Sequence, residues 1–163
     1  MIDLDELSRE ERALYSPAFT GLVVCRAVQG YRERYGQPCP VVVAVLSAVM
    51  AIQPSIRAML PKTISTGLIR WLEENKPARV SMMQNAEALS GVVRLGLLFA
   101  LQTGTLACDE TGALTLRPAT LANSIRGGTE DSQAVQRAAY MLGRWLPSSG
   151  DLSTVMSLLG VRP

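Results

Sequence analysis

A chain of 163 residues has room for one domain with a sizeable buried core. Sixteen basic against fourteen acidic residues leave a formal net charge of +2, without the strong basic bias of a dedicated nucleic-acid binder. Hydrophobic residues make up 48% and charged residues only 18%, below the roughly 25% of an average domain. So little charge predicts exposed apolar patches of the kind that mark interfaces.

Residues 1–15 are acidic and polar, unlike a signal peptide, and the chain is expected in the cytoplasm. Asp3 to Leu14 reads as a short charged helix, with Ser8 and Glu11 spaced as a capping box. Pro17 opens a second helix reaching about Tyr35, where Gly36 ends it. Its first half is apolar nearly all round and is expected to be buried. The run Val41 to Ile52 is too short to span a membrane, which takes about 20 residues. Val41-Val42-Val43 favours a strand there, but length and Ala44, Leu46, Ala48, Met50 and Ala51 favour a helix.

Thr63 is expected to cap a helix ending near Asn75, with Ile64, Leu68, Trp71 and Leu72 on one stripe. A short helix and then a longer one follow between about Val80 and Gln102, the latter carrying Val93, Leu97, Leu98 and Leu101. Leu106 and Cys108 alternate with small or polar residues, and so do Leu114 and Leu116 beyond Asp109-Glu110-Thr111-Gly112. Asp at the first turn position and Gly at the last fit a type I turn, so 105–117 reads as a β-hairpin. Residues 118–129 form a loop containing Gly127-Gly128. A helix then runs from Thr129-Glu130-Asp131 to about Leu146, a break covers Pro147 to Gly150, and Gly160 caps a last helix.

Helices followed directly by a hairpin give the order of a winged-helix domain. The expected fold is mainly α: one domain over 1–163, with a winged-helix-like core at about 38–118 and helical flanks at 1–37 and 119–163.

Chemistry is sparse. There is no histidine, which removes the usual general base and histidine-based metal sites. Cys25, Cys39 and Cys108 are widely spaced, odd in number and without a CxxC pair, so they read as reduced, buried thiols. The carboxylate pairs Glu10-Glu11, Glu73-Glu74, Asp109-Glu110 and Glu130-Asp131 have plainer roles on helix faces, helix starts and a turn tip. No glycine loop carries the phosphate-cradling pattern. No catalytic, cofactor or metal residue is assigned, and no enzyme activity is expected.

A winged helix raises DNA binding, but from Ala86 to Gln102 the helix before the hairpin offers only Glu87, Arg94 and Gln102, and the wing tip is acidic.

Several short signatures point elsewhere. They are Tyr15-Ser16-Pro17-Ala18-Phe19, Leu60-Pro61 before Thr66…Trp71-Leu72, Arg94…Phe99-Ala100-Leu101, Leu142-Gly143-Arg144-Trp145 and the terminal Leu158-Leu159-Gly160-Val161-Arg162-Pro163. Taken in this order they resemble the middle component of bacterial three-component ABC systems, over nearly the whole chain. Family members often carry Asn where Ser16 stands. The resemblance implies an adaptor or regulatory subunit linking an SMC-like ABC ATPase to an effector in an anti-phage or conflict system, and it brings no catalytic residue. A homo-oligomer is also left open. The competing reading is a dimeric winged-helix transcriptional regulator. Fourteen of the sixteen basic residues are Arg, the better interface cation. Arg94, Arg144, Trp145, Arg162 and Pro163 lie in the family-like segments and are the candidate contacts with protein partners, Trp145 also fitting a core position.

Overall fold

Ser8 starts the first helix as its spacing from Glu11 predicts. In the computed structural model, which describes residues 7–162, the Glu11 amide donates to the Ser8 hydroxyl and the Ser8 amide to the Glu11 carboxylate. The resulting helix α1 covers Arg9–Leu14; the predicted start at Asp3 lies outside the described residues. Helix α2 (Pro17–Tyr35) begins with proline in its first turn behind the Ser16 cap and ends where Gly36 turns left-handed at φ 65°. Every residue from Val23 to Gly30 is buried, the polar Arg26 and Gln29 among them.

The Val41 run is helical. Helix α3 (Val41–Ala51) follows a two-residue strand, β1 (Cys39–Pro40). Short helices α4 (Pro54–Met59) and α5 (Leu68–Glu74) lead into the 27-residue α6 (Lys76–Gln102). Then come β2 (Leu106–Cys108), β3 (Ala113–Leu116), α7 (Glu130–Trp145), a 3₁₀ turn at Leu146–Ser149, and α8 (Leu152–Leu159), which closes on Gly160 at φ 72°.

The sheet is antiparallel with order β1-β3-β2. Leu106 pairs with Leu116 and Cys108 with Leu114 in the predicted hairpin, while Cys39 of β1 adds to the other edge opposite Leu114. Pro40 has no N–H to give a ladder, which suits it to that edge. The chain is therefore mainly helical with one small three-stranded sheet.

Two helical expectations need correcting. Thr63 caps nothing: α5 starts at Leu68, behind Gly67. The Thr66 carbonyl, which an earlier helix would use internally, instead accepts the Trp145 indole N–H at 2.6 Å. And α6 is one continuous helix, not two. Its start moves back to Lys76 because Pro77 is tolerated in a first turn, and no residue inside it is a strong enough breaker to divide it.

Helix α2 lies at the centre, packed against α3, α6 and α7. Glycines set the spacing. A Cβ on Gly21 would lie 2.7 Å from the Gly96 carbonyl oxygen, and one on Gly96 would lie 2.5 Å from the Gly21 amide nitrogen. Gly143 likewise meets the Ala27 backbone, and Gly30 the Tyr140 backbone, with no room for a side chain. Around these crossings the core holds Val24, Val28, Ala44, Met50, Val93, Val135 and Leu142. Trp71 and Trp145 are also fully packed, edge to face with ring centres 5.3 Å apart. Arg26 is buried too, donating to the side-chain oxygens of Gln136 and Gln29 and to the Ala122 carbonyl, so that the 118–129 loop is held against α2 and α7.

Candidate partner-binding surface

The core side of α6 follows from its sequence. Ala78, Met82, Leu89, Val93, Gly96 and Ala100 recur at spacings of three, four and seven, and all are buried. The opposite side should then be polar. It is not. Val80, Met83, Leu95, Leu98 and Phe99 are all exposed, Met83 by 62%, Leu95 by 56% and Leu98 by 53%. Five of the seven large apolar side chains exposed among the described residues belong to this one helix, the others being Val42 and Ile69.

At about 100° per residue these positions fall on the outer half of the helix in two groups, Val80 with Met83 and Leu95 with Leu98 and Phe99, with Gly91 between the groups and directly away from the core. The same outer half carries Glu87 and Arg94, both exposed. Among the described residues the ion pairs are Arg57–Asp131 and Arg70–Glu74, so neither of these two charges is engaged by a described partner.

Of the residues expected to meet a partner, Arg94 sits within this surface. Arg144 is half-buried at the end of α7, its guanidinium 5.5 Å from the centre of the Tyr140 ring. The Tyr140 hydroxyl donates to Glu33, and the Tyr35 hydroxyl donates to the Arg144 carbonyl at 2.8 Å, so this cluster ties α7 to the end of α2. Arg162 is exposed beyond α8, and Pro163 lies outside the described residues. Trp145 is corrected outright: it is fully buried against Trp71, and its N–H is taken up by Thr66, so it offers no surface to a partner. The arginines occupy three separate elements, α6, α7 and the tail after α8, and are not gathered into one patch by sequence proximity.

Sequence reasoning missed the exposed apolar groups because it took Val93, Leu97, Leu98 and Leu101 together without separating the sides of the helix. Val93 is buried, Leu97 and Leu101 are half-buried, and Leu98 points outward. The available signal was the helix itself: apolar residues fall on every side of it, so one apolar side had to face water.

The hairpin tip is acidic and well ordered. One Asp109 carboxylate oxygen accepts from the Thr111 amide, the Thr111 hydroxyl and the Ala113 amide. The Thr111 hydroxyl bond first, with the Ala113 amide next, holds this carboxyl below its ordinary range and keeps it charged beside exposed Glu110. Cys25 and Cys39 are buried, and burial pushes both thiols up to about 12. Cys108, expected to be buried with them, is exposed on β2, whose outer edge has no neighbouring strand. Among the described residues no three His, Cys, Asp or Glu side chains are grouped so as to hold a metal ion, and no helix is long and apolar enough to cross a membrane.

No curated protein and no solved structure matches the chain. A family model does, over residues 4–163, described as ABC-three component (ABC-3C) system Middle Component 3. With nearly the whole chain matched, this protein belongs to the family of middle components of ABC-three component systems.

Proposed function

We propose that this middle component is a non-catalytic adaptor, working in the cytoplasm, that links an SMC-like ABC ATPase to an effector in a bacterial anti-phage or conflict system. The single observation that carries the reading is the apolar solvent face of α6. Several exposed large side chains on one helix, in a chain with few charges, favour a face covered by protein. Membership of a multi-component system supplies the setting in which such a face has partners.

The fold reading that accompanies it is winged-helix-like. Its support is the order β1, α3, intervening helices, α6, β2, β3, together with a sheet in which β1 adds to the hairpin. In that arrangement α6 takes the place of the helix that would enter a DNA groove. Lys76, Arg79 and Arg94 are exposed on it, but so are Leu95, Leu98 and Phe99. The tip of the wing would bring two carboxylates toward phosphates. These features favour a protein partner over DNA.

The non-catalytic part of the proposal rests on a sequence without histidine and on two thiols held protonated by burial. The test is co-purification from the native operon with an affinity tag on this chain. Capture of the ATPase and effector components is expected. The purified chain alone should hydrolyse no ATP above buffer. Failure to capture either component from its own operon would sink the adaptor reading.

A further inference from the structure

Gly91 has no explanation inside this chain. A glycine in the middle of a helix costs about 1 kcal/mol relative to alanine, so its presence calls for a close approach or a special backbone angle. Gly96, five residues on, has such a reason: any Cβ there would strike the backbone of α2. Around Gly91 an added Cβ would meet nothing within 4 Å, and its backbone is ordinary helix. The missing side chain leaves a notch between the two exposed apolar groups, where another backbone could come close.

The charges on either side of the notch say which backbone fits. Glu87 and Arg94 lie seven residues apart, about 10 Å along the helix, too far to bond each other. Place a second α6 against the first, antiparallel, with a two-fold axis passing through Gly91. The helix repeat then brings Glu87 of one copy and Arg94 of the other to the same edge, within about 1.5 Å in height. Symmetry makes this pair twice. On the opposite edge Leu95 of each copy falls beside Ala88 of the other, where the small side chain leaves room for the large one. In a parallel two-fold pair Glu87 and Arg94 would each lie against the other edge of the second copy, beside Ala88 and Leu95, and no ion pair would form. The antiparallel pairing satisfies both charges.

We infer that the α6 face is the contact between two copies of this chain, an isologous antiparallel helix pair crossing at Gly91 and held by reciprocal Glu87–Arg94 ion pairs. This rests on reading the face as a docking surface, and it names the occupant. The adaptor would then be a symmetric dimer, with its surfaces away from α6 left for the other components. One helix per copy makes a small interface, below about 1,200 Å² in total, so the dimer should be reversible at micromolar concentrations.

The experiment uses the purified full chain in sedimentation equilibrium from low to high micromolar concentration. The wild type should show a monomer–dimer equilibrium. Gly91→Leu should be monomeric while keeping its melting temperature, because the new side chain fills only the notch. Glu87→Arg alone and Arg94→Glu alone should each weaken association by about tenfold or more, since like charges then meet. Mixing these two single variants should restore a dimer, one copy carrying both cations and the other both carboxylates. Failure of the mixture to associate better than either variant alone overturns the pairing. So does a dimer that survives Gly91→Leu, and so does a wild type that stays monomeric throughout. None of these results bears on capture of the ATPase and effector, so the dimer can fail while the adaptor reading stands.

Discussion

Replacing Gly96 by alanine tests the packing argument at its tightest point. The new Cβ would sit 2.5 Å from the Gly21 amide nitrogen, and ordinary contact begins near 3.4 Å, so α6 and α2 must part by about 0.9 Å. A gap of that size forfeits a quarter to a half of the attraction, about 0.1–0.2 kcal/mol per atom pair, wherever the two helices touch. The contacts at stake include fully packed Val93 and Val24, and their combined loss exceeds the roughly 1 kcal/mol that alanine returns through helix propensity. The expected net destabilisation is about 1–3 kcal/mol, or about 2–12 °C in melting temperature for a domain of this size. Gly91→Ala is the matched control: the same exchange in the same helix, with nothing within 4 Å. In calorimetry at low concentration it should melt at or slightly above the wild type. If Gly96→Ala melts no lower than Gly91→Ala, the close crossing of α2 and α6 is not the constraint argued above.

Titration of the native chain with a thiol reagent at pH 8 should modify Cys108 and spare Cys25 and Cys39, whose thiols burial holds at about 12; unfolding should release all three. Trp145→Phe should cost about 1–3 kcal/mol in urea denaturation, because the fully buried indole loses both its packing volume and its bond to the half-buried Thr66 carbonyl. The hairpin tip should depend on acid in a defined direction. The folded Asp109 carboxyl lies below its unfolded value of 3.8, so its contribution is complete above that pH and lost as pH falls through the lowered value. Protection of the Thr111 and Ala113 amides, measured against intrinsic exchange at each pH, should fall over that window, and Asp109→Ala should show the lowered protection already at neutral pH.

Where local chemistry alone decides, the sequence was readable. Ser8 with Glu11, Pro17 with Gly36, the Asp109-to-Gly112 turn and the Gly160 cap all satisfy backbone groups within a few residues of themselves, and each element forms where those residues put it. Elements set by distant partners were not readable. Strand β1 is two residues beside prolines, and it is a strand only because Leu114 offers an edge. The start of α5 depends on Trp145 claiming the Thr66 carbonyl from 79 residues away. The same limit applies to the surface. Periodicity shows that α6 has apolar residues on several sides, but which side faces water is fixed by where α2 crosses it, and that crossing lies in two glycines, Gly21 and Gly96, that carry no hydrophobic signal at all.

The paired indoles make the chain its own optical reporter. It has two tryptophans, and they touch. Trp71 donates its N–H to the Met59 carbonyl and Trp145 donates to the Thr66 carbonyl, so the two chromophores grip the end of α4 and the short connection that joins it to α5. Intrinsic emission therefore arises from a single junction, where α5 meets the end of α7. Its wavelength should stay blue while that junction is dry and shift red when the connection lifts away, even with every other helix in place. The outer half of α6 contains no tryptophan, so an encounter there would leave the emission unchanged unless it pulled on α5. Excitation at the tryptophan band thus separates loosening of the 60–67 connection from events on the outer face of α6, without a label being added.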